Sequence, residues 1–130
     1  MSRIRSRDTK PEEIVRKYLF SKGLRYRKND RRFHGKPDIV LPKYKTIIFV
    51  NGCFWHSHAD CPNNVQPKSN QEYWKPKLER NKLRDAEYII ALQADGWRVI
   101  IVWECELKKA IRDDRLEQLY TDIIKNYSYI

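Results

Sequence analysis

Residues 47–50, Ile-Ile-Phe-Val, constrain the fold most. They sit in "KPDIVLPKYKTIIFVNG" with no alternation of polar and apolar positions. A strand with one wet face would alternate, so this one is predicted to be buried on both faces. The same stretch reads as two strands joined at residues 42–45. "WRVIIVWEC" is the strongest strand in the chain and is expected at the centre of the sheet.

The flanking segments have helical spacing. In "RDTKPEEIVRKYLFSKG", Thr9 can serve as N-cap, Pro11 and Glu12 suit the first turn, and Gly23 suits the stop. Ile14, Val15, Tyr18 and Leu19 form its apolar face. "LRYRKND" then reads as a short strand. "KLERNKLRDAEYIIALQADGW" is predicted helical, with Leu83, Ala86, Ile90 and Leu92 contributing apolar surface and Gly96 ending it. Leu116, Leu119, Tyr120, Ile123, Ile124 and Tyr127 fall at helical spacing in a covering helix. The order is helix, three strands, helix, strand, helix. This describes one α/β sandwich domain over residues 1–130, with a mixed central sheet flanked by helices.

Residues 51–70 form a long polar connection without helical period, and a loop of that length in a small domain is usually functional. It contains "FVNGCFWHSHADC". Cys53, His58 and Cys61 supply three soft or borderline ligands, and Cys105, at the end of the strongest strand, supplies a fourth. Cys3His is a closed tetrahedral set for structural zinc; the alternative is three unrelated thiols. With 27 basic against 17 acidic residues, the charge is +10. That points to a polyanionic partner, of which nucleic acid is the commonest, against the plainer reading of a solubilising surface. No apolar run approaches the ~20 residues that span a bilayer, and the N-terminus has no apolar signal core, so the cytosol is the expected compartment. An odd number of cysteines there suits metal ligation better than disulfides.

Individual polar residues carry less. Asp38, opening an apolar strand, is a candidate ligand for a hard cation such as Mg2+, or part of a turn. Glu12, three residues after Thr9, completes a capping box. Asp85 follows Arg84 on a helix and could simply face solvent. His56 is either a further zinc ligand or a general base.

In order, "RDTKPE", "GKPDIV", "FVNGCFWHSH", "RD" and "GWRVIIVWEC" resemble the very-short-patch (Vsr-type) mismatch repair endonucleases, from about residue 7 to about residue 105. The resemblance implies a restriction-endonuclease-like core, a structural zinc and Mg2+-dependent nicking on the 5′ side of the thymine in T·G mismatches, which arise by deamination of 5-methylcytosine. It implies Asp38 and the Val50 carbonyl as Mg2+ ligands, His56 as the residue activating water, Asp85 orienting it, and Glu12 holding metal-bound water. It matches Cys53, His58, Cys61 and Cys105 to the zinc ligands. Asn51 stands where the best-known members carry histidine; it can hydrogen-bond a water but cannot take a proton. "HSHADC" has one more residue between its last two ligands than the family type. Also implied are double-stranded DNA with a T·G mismatch as partner, association with mismatch-repair proteins or a cytosine methyltransferase, and a cytoplasmic, nucleoid-associated monomer. Phe54 and Trp55, beside the catalytic histidine on a zinc-anchored loop, fit a wedge between base steps, against a core role. Arg3, Arg5, Arg7, Lys77, Arg80 and Lys82 are candidate phosphate contacts. The rival readings are a zinc-stabilised DNA-binding module that does not cut, and a restriction-type nuclease of the same fold.

Overall fold

The computed structural model describes residues 10–28, 33, 37–53 and 71–127. Its elements are α1 (Lys10–Ser21), β1 (Arg27–Lys28), β2 (Ile39–Leu41), β3 (Thr46–Asn51), α2 (Gln71–Ala94), β4 (Arg98–Trp103) and α3 (Arg112–Tyr127). This is the predicted order. Both predicted helix stops hold. Gly23 (φ 81°) and Gly96 (φ 90°) adopt the left-handed conformation that suits glycine. Beyond each, the next N–H reaches back to the last turn: Leu24 to the Leu19 carbonyl and Trp97 to the Leu92 carbonyl, both at 3.1 Å.

The described sheet runs β1-β2-β3-β4. β1, β2 and β3 are antiparallel neighbours, and β3 and β4 are parallel, so α2 serves as the crossover between them. Ile47 and Ile48 are fully buried, as a two-faced strand requires. Successive side chains go to opposite faces, which sorts the core into two clusters. Ile39, Leu41, Ile48, Val50 and Val102 pack with Val15 and Leu19 of α1 and with Leu116, Leu119 and Ile123 of α3. Val40, Ile47, Phe49 and Val99 pack with Leu92 of α2, Phe33 and Trp97. Two helices thus cover one face and one covers the other.

Three expectations are corrected. β4 is not central: in the described sheet it is the end strand, while β2 and β3 occupy the middle. A continuous apolar run reports layers above and below, and says nothing of lateral place. Charged side chains guard that edge. Arg115 donates to the Ile101 carbonyl (3.3 Å), and Arg98 to the Asp122 carbonyl of α3 (2.6 Å). Second, α2 starts at Gln71 rather than near Lys77 and carries Pro76 inside it. The Lys77 ammonium bonds the Tyr73 hydroxyl (2.9 Å) and lies 4.2 Å from its ring centroid, tying the first turn to the second across the proline. Third, α2 buries Leu78 and Leu92, while Leu83 and Ile90 are exposed. Leu78 and Leu92 are about four turns apart on one side; Leu83 lies roughly 140° round from Leu78.

A buried carboxylate pair as candidate active site

The turn Pro42–Tyr44 closes the β2–β3 hairpin with Lys45 left-handed (φ 51°). It sets the register Leu41↔Thr46, Val40↔Ile47, Ile39↔Ile48. One residue before the ladder begins, Asp38 is therefore delivered to the far end of β3. There its Oδ2 accepts the Val50 N–H at 2.6 Å. The last rung of the hairpin is a side chain instead of a main-chain carbonyl.

Glu12 and Arg16 approach the same place from α1. They are one turn apart on the stripe that also buries Val15 and Leu19, and both are buried, at 3% and 7% exposure. Arg16 Nη1 donates to Glu12 Oε2 at 3.4 Å. Burial, and then the neighbouring charge of Glu12, push the Asp38 carboxyl from its ordinary 3.8 up to about 8. A hydrogen bond with Glu12 pushes it the same way; the Val50 N–H and the Arg16 guanidinium oppose the rise. Two carboxyls in one dry place resist ionising together, and one of them keeps a proton.

That donor set is oxygen-rich, with two carboxyls against the single guanidinium of Arg16, which suits a hard divalent cation. The residues expected to hold Mg2+ fit it. Asp38 and Val50 are hydrogen-bonded neighbours and Glu12 stands beside them. Asn51 follows Val50 as the last residue of β3 and is buried.

The raised Asp38 value has a consequence for stability. The metal-free folded chain holds this proton up to about pH 8, whereas the unfolded chain releases it near 3.8. Between those values the unfolded chain binds fewer protons, so stability falls as pH rises, and this contribution is lost above about 8. Thermal melts without Mg2+ and without chelator, from pH 5 to 8.5, should show the fall, and Asp38→Asn should flatten it and melt higher at pH 8. Parallel profiles for the two proteins would contradict the assignment.

The expected zinc ligands are reached in part. Asn51 and Trp103 are paired across β3 and β4. Cys53 and Cys105 each lie two residues further on, so adjacent parallel strands deliver both thiols beyond the same end of the sheet. Cys53 is fully buried and Cys105 half-buried. The turn Glu104–Leu107 that carries Cys105 is held by Glu106, which accepts the Trp103 N–H (2.8 Å) and pairs with Arg115 (3.2 Å). His58 and Cys61 lie outside the described residues, as do Phe54, Trp55 and His56. Among the described residues no group of three or more His, Cys, Asp or Glu forms a metal cage. Asp85 is half-buried on α2; the histidine it is expected to orient is not among the described residues.

Sequence reasoning missed Arg16. The signal was present: Glu12 and Arg16 are an i,i+4 pair interleaved with Val15 and Leu19 on the apolar stripe. A charged pair at core positions needs a reason beyond helix capping.

Residues 1–63, which span α1, the hairpin, Asp38 and Cys53, match the sequence profile of the family described as DNA mismatch endonuclease Vsr. The type II nicking enzyme V.NmeAIP of Neisseria meningitidis is 52% identical over 124 residues, covering 95% of this chain and 88% of that one. The type II nicking enzyme V.XorIIP of Xanthomonas oryzae is 48% identical over 107 residues, 82% of this chain and 78% of its own. These relatives are by name enzymes that nick. The DNA mismatch endonuclease Vsr of Escherichia coli is 42% identical over 108 residues, 83% of this chain and 69% of that one. The chain belongs to the Vsr family of DNA mismatch endonucleases.

Proposed function

We propose that the chain is an Mg2+-dependent endonuclease of restriction-endonuclease-like architecture. It nicks the strand on the 5′ side of the thymine in a T·G mismatch left by deaminated 5-methylcytosine. The observation that carries this reading is the pairing of buried Glu12 with half-buried Asp38, the latter fixed by the Val50 N–H. The +10 charge and the family's description as mismatch endonucleases support a DNA substrate.

Asp38 and the Val50 carbonyl would hold Mg2+, with Glu12 placed to hold metal-bound water; when bound, the ion polarises the phosphate and stabilises the leaving oxygen. Buried Asn51, next in the chain, can hold a water by hydrogen bond. His56 accepts the proton of the attacking water, and Asp85 fixes the orientation of that imidazole. Phe54 and Trp55 enter the stack at the mismatch, where unstacking costs least. Cys53, His58, Cys61 and Cys105 hold a structural zinc that ties the wedge-bearing loop to the end of β4.

Zinc should be present one to one in the purified protein. Cys105→Ser should lower its melting temperature markedly, since structural zinc contributes folding free energy. Zinc-free protein, with Cys105→Ser melting like the parent, would remove this site from the account.

The test of function is a strand-labelled duplex carrying one T·G pair, with Mg2+, beside its fully paired control. Cleavage of the thymine strand alone, 5′ of the mismatch, supports the reading. Binding without nicking would support a non-cutting DNA module, which the Asn51 position favours. Equal cutting of paired DNA would support a restriction-type nuclease.

A further inference from the structure

A hollow of about 390 Å3 opens beside the carboxylate pair, lined by Arg16, Phe20, Leu24, Arg25, Tyr26 and Lys28. Its volume lies within the range of about 300–1,000 Å3 typical of ligand sites. Arg16 connects the two places, since it lines the hollow and its Nη1 reaches Glu12 at 3.4 Å. Three of the six lining residues are cations. Leu24 is buried and Tyr26 packs against the main core cluster, so that wall is rigid. Phe20 is different: it is 65% exposed and also lines a second hollow of about 190 Å3 with Gly23, Leu24 and Arg25. One exposed aromatic needs no explanation. An exposed aromatic among three cations, one turn of helix from the Arg16 that pairs with Glu12, has the composition of a nucleotide subsite: cations for a phosphodiester and a ring face for a base.

We propose that this hollow is a second DNA subsite, which seats a phosphodiester of the strand against Arg25 and Lys28 and a base against Phe20. It rests on the reading of the chain as a DNA endonuclease and adds to it where the strand runs beyond the cut. The position next to Arg16 couples the subsite to the carboxylate pair through one buried side chain. Aromatic stacking tolerates any base, so the contribution is to affinity and placement, independent of the mismatch.

The test is fluorescence anisotropy with a T·G duplex and its paired control, without divalent ions, over a salt series. Nicking of the same duplex by the wild type in Mg2+ is measured in parallel. Phe20→Ala should weaken binding to both duplexes about tenfold, with the salt slope unchanged. Arg25→Gln with Lys28→Gln should reduce the slope of log K against log salt by about 0.9, as loss of one neutralised phosphate requires. Lys109→Gln with Lys125→Gln, exposed cations that do not line the hollow, should leave the slope near that of the wild type. If the wild type binds and nicks but Phe20→Ala binds as tightly, or the Arg25/Lys28 pair shifts the slope no more than the control pair, the subsite is wrong and the function stands. A wild type that neither binds nor nicks overturns both.

Discussion

Asp38→Ala is expected to lower nicking of a T·G duplex by at least about a thousandfold, because a metal ligand contributes several kcal/mol of transition-state stabilisation and each ~1.4 kcal/mol is tenfold. DNA binding should stay near wild type, since the substitution removes a proposed metal ligand and not a phosphate contact. The folded chain should survive, because the deletion removes a carboxyl whose burial, and then the neighbouring charge of Glu12, hold its proton on up to about pH 8. It also leaves the Val50 N–H without its 2.6 Å acceptor, so Asp38→Asn is the cleaner partner experiment. Asparagine keeps an oxygen for that N–H and removes only the charge. Both variants should be inactive while Asp38→Asn melts at or above wild type. Retention of more than about a tenth of the activity, a loss below ~1.4 kcal/mol, would mean that the ion is held elsewhere.

His56→Ala is expected to lower the nicking rate by at least about a hundredfold, with zinc content and DNA affinity near wild type. His56 lies between Cys53 and His58 in sequence, so a base and a spare ligand are the two roles open to it. General acid–base catalysis is typically worth about 10²–10⁴-fold, which separates them, because a lost ligand would also release zinc and lower the melting temperature. Asp85→Asn should give a smaller defect in the same direction, as it disturbs the orientation of the base without removing it. The double variant should be little worse than His56→Ala, since the two act as one unit. Early melting with loss of zinc in His56→Ala would make it a ligand. Wild-type nicking with zinc retained would assign the activation of water to another group.

Much of the architecture was legible in the residues. Gly23 and Gly96 marked real helix ends, the apolar stripes of α1 and α3 are the ones buried, and the break at residues 42–45 is the hairpin turn. Each of these is a local signal, set by backbone conformation or by periodicity within one element. The misreadings are all relational. The edge position of β4 depends on which strands pair, which apolar content does not encode. The inner face of α2 depends on where a long helix crosses a narrow sheet, so Leu83 and Ile90 had the right chemistry on the wrong side. Residue by residue, Asp38 stayed open between a cation ligand and a turn, and Glu12 read as a cap; only the resemblance linked them, and the hairpin register and the α1 stripe bring them together. Arg16 was hidden for the same reason: its role exists only once Glu12 and Asp38 meet. The proposed zinc loop rests on ligand spacing alone, with only Cys53 and Cys105 of its four proposed ligands among the described residues.

The central claim is that Asp38, with the Val50 carbonyl and with Glu12 beside it, forms the divalent-metal site, and proton release on Mg2+ binding tests it most directly. Zinc-loaded protein is titrated with Mg2+ by calorimetry at pH 7 in buffers of different ionisation enthalpy. With Asp38 holding its proton up to about pH 8, the wild type should release close to one proton per ion bound. That release should fade by about pH 9, and Asp38→Asn should neither bind the ion measurably nor release a proton. Binding of Mg2+ with no proton released at pH 7, or binding of equal strength by Asp38→Asn, would contradict the account.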